Sequence, residues 1–292
     1  MIAGAPSSRG VLVVGMHRSG TSATTRTLNL LGLPLCTATV LEQRRGGNAT
    51  GHWESRTMMR FNEKLLSCLG SRWNRVPDVE EPIALWHRLA AHAEQARATF
   101  DSVHTSSSWV WKDPRNCILL PFWRTVLACD PPVVLVVRDP IEVVASLWAR
   151  DRISPDVALT LWERSMRHAL LGCAGAPTFA VHYRRLLEDS HAVCRSMASF
   201  LIEAGIPAHP ADADVDAFLD PTQCHHTSSE SKRTETLNPR QRTLVEVLNG
   251  LEGAYWAFDP PVGVYPALDQ HPQRPIDDGQ KWPDRDRLIH GL

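Results

Sequence analysis

The chain has 292 residues, 43 % of them hydrophobic, enough to bury a sizeable core, and a single domain is expected over 1–292. Its 31 Lys and Arg side chains meet 32 Asp and Glu for a formal net charge of −1, without a long basic block, so nucleic acid is not an expected partner. Seven cysteines form no C-x-x-C pair and no apolar run approaches a membrane span, which sets aside a disulfide framework and a transmembrane segment and makes a soluble, cytoplasmic enzyme the expectation.

Residues 1–10 are small and polar, without the basic and apolar regions of a signal peptide. Val11-Leu-Val-Val14 then reads as a buried strand that empties into Gly15-Met-His-Arg-Ser-Gly-Thr-Ser22 and a helix over about 20–31, stopped by Gly32 with Pro34 beyond. Gly15 and Gly20 have the spacing of a Walker A loop and Ser22 takes its hydroxyl position, but Thr21 stands where the lysine belongs. A threonine cannot place a charge between the β- and γ-phosphates of a nucleoside triphosphate. The backbone N–H groups of residues 18–22 and the Arg18 guanidinium still suit an anion at a helix start, so a bound phosphate is expected rather than a hydrolysed triphosphate. The plainer alternative is a tight strand-to-helix turn without a ligand.

Residues 36–57 are rich in Gly and polar groups and read as a functional loop, which includes Gly51-His-Trp-Glu54. Met58, Met59, Phe61, Leu65 and Leu66 have helical spacing, and a further helix is expected over about 82–100. Trp109-Val-Trp-Lys112 reads as a strand, and Asp113-Pro114 as the capped start of a helix to about Leu127. Val133-Val-Leu-Val-Val137 is another buried strand, followed by Arg138, by Asp139-Pro140 as cap and first helical residue, and by Glu142 at capping-box spacing. Arg138 has no capping duty and must emerge at the carboxyl edge of a parallel sheet, where ligands bind. A helix from Pro155 to about Leu171, a strand over Thr178–Tyr183 and a helix at about 239–250 complete the pattern, with loops elsewhere beyond residue 205 and an irregular final arm. Alternating strands and helices predict an α/β, three-layer, P-loop-like fold with a central parallel sheet flanked by helices.

Two segments carry a family resemblance. Gly15-Met-His-Arg-Ser-Gly-Thr-Ser22 resembles the 5′-phosphosulfate loop of sulfotransferases that use 3′-phosphoadenosine 5′-phosphosulfate (PAPS), in the variant with Arg for Lys common among bacterial members. Arg138, with Ser146 eight residues later, resembles the family's 3′-phosphate motif. The resemblance covers roughly residues 11–205, leaving about 206–292 as a loop-rich region that completes the site. It implies PAPS as sulfuryl donor without a required metal, held by His17 (through its backbone), Arg18, Ser19, Gly20, Thr21, Ser22, Arg138 and Ser146. A late basic stretch around Lys232 and Arg233 resembles the loop that closes over the 3′-phosphate, although it lacks the usual glycine. Gly51-His-Trp-Glu54 resembles the G-x-x-E segment that carries a catalytic glutamate, which makes Glu54 the expected base and His52 the second candidate. A carboxyl beside Trp53 and a dianionic cofactor is expected to have a raised pKa. Lys112, at a strand end, is expected to reach the bridging or sulfonate oxygens, while Arg115 either holds an acceptor or pairs with an acid. Arg184 and Arg185 replace the acids of the family's Y-E-D-L stretch and are given a structural role. The implied acceptor is a hydroxyl of a carbohydrate, glycolipid or other secondary metabolite. A nucleoside or small-molecule kinase and a non-catalytic nucleotide-binding protein are the alternatives.

Overall fold

The computed structural model describes residues 9–36, 39–40, 51–77, 82–128, 130–209, 212–219, 236–261 and 264. A five-stranded sheet has the spatial order β4-β1-β5-β6-β7, with β1 Arg9–Val14, β4 Ser108–Lys112, β5 Val133–Val137, β6 Thr178–His182 and β7 Gly253–Tyr255. The first four run parallel and β7 runs antiparallel to β6, so the expected parallel sheet has one antiparallel edge.

The apolar runs of β1 and β5 are buried on both faces because alternate side chains enter two separate cores. Leu12, Val14, Val133, Leu135 and Val137 face one core, and Val11, Val13, Val134 and Val136 face the other. The first core is closed by α2 Arg56–Cys68, α4 Ala93–Val103, α5 Asn116–Leu127, α6 Pro140–Asp151 and α7 Pro155–Gly172. The second is closed by α1 Thr21–Leu30, α8 Tyr183–Glu188, α9 Ser190–Glu203 and α10 Asp212–Phe218. Helix, sheet and helix thus form three layers. Trp109, Trp111 and Trp123 lie in the first core as expected, packed around Phe100.

Several boundaries differ from the sequence expectation. The helix expected over 82–100 is split into α3 Pro82–Leu89 and α4 by a 3-10 turn at Ala90–His92. Helix α5 starts at Asn116 rather than at Pro114, because the Asp113 carboxylate accepts from the backbone N–H of Arg115 at 3.0 Å and shapes a turn ahead of the helix. Glu54 and Ser55 form a short strand, β3, antiparallel to β2 Thr39–Val40, inside what reads as an irregular loop. Ser55 then caps α2 by accepting from Met58 N. Helix α10 adds a second helix beyond residue 205 beside α11 Pro239–Asn249, which carries a complete capping box between Asn238 and Gln241.

Candidate functional site

β1 pairs directly with β5, so the loop after β1 and the junction after β5 leave the sheet side by side at its carboxyl edge. In the first, Arg18 (φ 71°) and Gly20 (φ 92°) are left-handed and fold the backbone back toward α1. Glycine is required at position 20 on a second ground: a Cβ there would lie 2.1 Å from Cδ2 of Tyr183. In the second, Asp139 accepts from Ile141 N at 2.9 Å and Pro140 opens α6, as the sequence predicts.

The two junctions are bonded to each other. Arg18 Nε donates to Ser146 Oγ at 2.8 Å, and Arg138 Nη1 donates to the carbonyl of Arg18 at 2.8 Å. The Arg138 guanidinium lies 4.8 Å over the Tyr183 ring. Glu142 does not close a capping box. Its carboxylate oxygens accept instead from Arg138 Nε at 3.0 Å and Arg184 Nη2 at 2.5 Å. Ser19 Oγ and His17 Nε2 are buried without a hydrogen-bond partner among the described residues. Each such atom costs about 1–3 kcal/mol, so the cradle fits an anionic group that supplies acceptors.

Charge balance agrees with that fit. Burial, then the neighbouring Arg150 and Arg138, bring the Arg18 guanidinium down to about 10. Burial and the Arg115, Arg150, Lys112 and Arg18 cations hold His17 neutral, well below the ordinary imidazole value. His17 also packs its ring 5.0 Å from that of Trp73. Arg138, Arg150, Arg115 and Lys112 each pair with a carboxylate, whereas Arg18 bonds the Ser146 hydroxyl and has no carboxylate partner among the described residues, so the cation left to meet an anion lies in the loop after β1.

Lys112 organises the other end. Its ammonium, on a residue 2 % exposed, donates to the His52 carbonyl at 2.6 Å, to Glu54 Oε1 at 2.5 Å and to Ser22 Oγ at 3.2 Å. Ser22 also donates to the His52 carbonyl at 3.2 Å. The phosphate loop is thereby joined to Gly51-His-Trp-Glu54, in which Gly51 (φ 99°) and Trp53 (φ 53°) are both left-handed. Such a backbone is rare for a bulky residue and accumulates at functional sites. Burial raises the Glu54 carboxyl, but the charge and hydrogen bond of Lys112 outweigh it and hold the group below the ordinary carboxylate value, contrary to the sequence expectation. Burial lowers His52, against the opposing pull of Glu54, so its imidazole is neutral near pH 7.

Arg115 does not stand open for an acceptor. It bonds Asp113 at 2.9 Å and Glu63 at 2.5 Å, and these acids keep it firmly charged against the cost of burial. Asp113, raised by its own burial, also accepts from Asn62, which receives the Trp123 indole N–H. This network fixes the turn beyond Lys112. Trp53 carries the Arg26 guanidinium 4.9 Å over its ring. Lys232 and Arg233 lie outside the described residues.

Sequence reasoning missed two participants, Tyr183 and Glu142. The second had a visible signal, since it stands four residues after Arg138, the spacing at which side chains on one helical face meet. Among the described residues no group of three or more His, Cys, Asp or Glu side chains is placed to hold a metal ion, and no helix is long and apolar enough to cross a membrane.

No curated protein matches the chain significantly. Solved structures similar to it include a sulfotransferase domain from the curacin biosynthetic pathway (16 % identity, 82 % of this chain and 98 % of that one, TM-score 0.41). Others are a sulfotransferase domain from the Synechococcus PCC 7002 olefin synthase (15 %, 90 % and 94 %, 0.44) and a sulfotransferase from Mycobacterium tuberculosis (14 %, 78 % and 76 %, 0.40). The family model described as the sulfotransferase family matches residues 10–208, which takes in both strand-to-helix junctions and the segment between them. On that match, this chain belongs to the sulfotransferase family.

Proposed function

We propose that the chain is a cytoplasmic, PAPS-dependent sulfotransferase acting on a hydroxyl of a carbohydrate, glycolipid or other secondary metabolite. The observation that carries this reading is the mutual bonding of the two junctions, Arg138 to the Arg18 carbonyl and Arg18 to Ser146, which supports a single ligand held by both. The loop from His17 to Ser22 would hold the 5′-phosphosulfate, and Arg138 with Ser146 the 3′-phosphate. The donor supplies a sulfuryl group whose bond to the bisphosphate breaks as the acceptor oxygen bonds to sulfur. This chain's part is positioning and electrostatics.

Lys112 is the cation nearest the proposed base and ties it to the loop, so it would meet charge developing on the departing oxygen. Glu54 takes the acceptor's proton in this reading. Its lowered pKa keeps the carboxylate ionised across the working range, at some expense of basicity. The kinase alternative gains nothing from Thr21 in the lysine position or from the family match.

The test is calorimetry of the chain with PAPS, adenosine 3′,5′-bisphosphate and ATP in parallel, with chelator present, followed by a labelled-sulfate screen of hydroxyl acceptors. Tight binding of the first two and weak binding of ATP is the expected result. Preference for ATP with magnesium-dependent turnover would replace the reading with the kinase, and PAPS binding without transfer to any acceptor would leave a non-catalytic binder.

A further inference from the structure

The proposed 3′-phosphate grip depends on where the Arg138 guanidinium points, and a buried carboxylate decides that. Glu142 is 2 % exposed, and each oxygen serves a different arginine, Oε2 accepting from Arg138 Nε at 3.0 Å and Oε1 from Arg184 Nη2 at 2.5 Å. Two further contacts fix Arg138: Nη1 donates to the Arg18 carbonyl at 2.8 Å, and the guanidinium face lies 4.8 Å over Tyr183. Nη2 has no partner among the described residues. A planar fork held by one edge, one terminal nitrogen and one face has little freedom left, and its remaining donors keep a single direction.

A carboxylate is an unfavourable neighbour for a phosphate if charge alone matters. Arg184 changes that balance, because two arginines share the one carboxylate. We propose that Glu142 is a positioning residue for 3′-phosphate recognition: it aims Arg138, and Arg184 offsets its charge. This rests on the PAPS reading above. A purely structural role for Glu142, as an acid in the first turn of α6, is the alternative that the test must separate.

The full chain is titrated by calorimetry with adenosine 3′,5′-bisphosphate and with adenosine 5′-monophosphate, as wild type, Glu142→Gln, Arg138→Ala and the double variant. Glu142→Gln is expected to weaken the bisphosphate about tenfold or more while the monophosphate stays within about twofold, and to add less than about twofold once Arg138 is gone. Unchanged or tighter bisphosphate binding by Glu142→Gln would overturn the inference, because the charge of the carboxylate would then outweigh its aim. Equal losses for both nucleotides, additive with Arg138→Ala, would reduce Glu142 to a structural role and overturn it as well. If Glu142→Gln does not fold, Glu142→Asp keeps the charge but withdraws it by one methylene, and an unaltered preference for the bisphosphate in that variant is the overturning result. A wild type that binds both nucleotides equally well would instead sink the PAPS reading itself.

Discussion

The two ends of the site are built by different physics. The end formed by Arg18, Arg138 and Ser146 consists of two strand-to-helix junctions that are neighbours because β1 and β5 pair in register, and its arginines are held by a carboxylate, a carbonyl, a hydroxyl and an aromatic face. The end formed by His52, Trp53 and Glu54 is a strained segment whose left-handed backbone at Trp53 costs on the order of 1–3 kcal/mol. Its charged anchor is the ammonium of Lys112, which stands 60 residues from His52 and 58 from Glu54, beside the Ser22 hydroxyl on the His52 carbonyl and the Arg26 guanidinium over Trp53. The first end is redundant, and loss of one bond leaves the others in place. In the second, among the described residues, one ammonium carries both the only ion pair of Glu54 and a bond to the His52 carbonyl.

Lys112→Ala is the largest expected break in that contrast. It strands the Glu54 carboxylate without its partner and frees the strained segment, which should cost about 3–5 kcal/mol of stability in thermal unfolding. Transfer should fall by roughly 1000-fold or more in a labelled-sulfate assay. If the Arg138 end holds the nucleotide by itself, although Lys112 also bonds Ser22, the surviving folded protein still binds adenosine 3′,5′-bisphosphate, and a parallel collapse of binding would break the comparison.

Glu54→Gln should retain the nucleotide and lose about 100-fold in turnover. Because Lys112 holds the Glu54 carboxyl below its ordinary value, the acid limb of the kcat/KM profile should lie below the ordinary carboxylate range. Near-normal turnover by the variant, or an acid limb nearer the imidazole range, would return the base to His52.

Arg138→Ala sharpens the other side. It should weaken adenosine 3′,5′-bisphosphate by about 1.5–3 kcal/mol, the worth of a charged hydrogen bond, and adenosine 5′-monophosphate much less. Equal losses in calorimetry would argue against a 3′-phosphate contact.

The smallest expected effect lies outside both ends and is a control for general stability. His104, 6 % exposed, packs against Phe100, Trp109 and Trp111 with both ring nitrogens unpaired, and burial pushes it from 6.5 down to about 3. Its folded value is below its unfolded value, so the unfolded chain takes up a proton first and stability is lost as pH falls from 6.5 toward 3. His104→Leu should therefore gain stability relative to wild type on acidification, by about 2 kcal/mol between pH 7 and pH 4.5, without changing nucleotide selectivity. Parallel unfolding curves for the two proteins down to pH 4 would show that burial does not hold this ring neutral, since it would then take up its proton in the folded state as readily as in the unfolded chain.

Much of the framework was legible because local patterns encode it. The runs at Val11–Val14 and Val133–Val137, the glycine at 20, and the Asp139-Pro140 cap each follow from periodicity or backbone sterics within a few residues. The antiparallel β7, the turn that delays α5 and the break at 90–92 were not legible, since each depends on packing against segments distant in the chain. The same limit explains the wrong direction expected for Glu54. A neighbouring indole and a dianion are expected to raise it, but among the chain's own groups a lysine 58 residues away holds it down. Glu142 shows the limit at close range, because a capping-box spacing was present and tertiary neighbours took the carboxylate instead.

Sequence alone determined that two apolar strands each end in an anion-suited helix start, because strand burial, caps and glycine turns are properties of short windows. Only the tertiary structure decided that these starts bond to each other, that Lys112 joins the phosphate loop to Glu54, and that Glu142 serves two arginines. Those facts depend on strand order and on the distance between side chains far apart in the chain, and no local period carries that information.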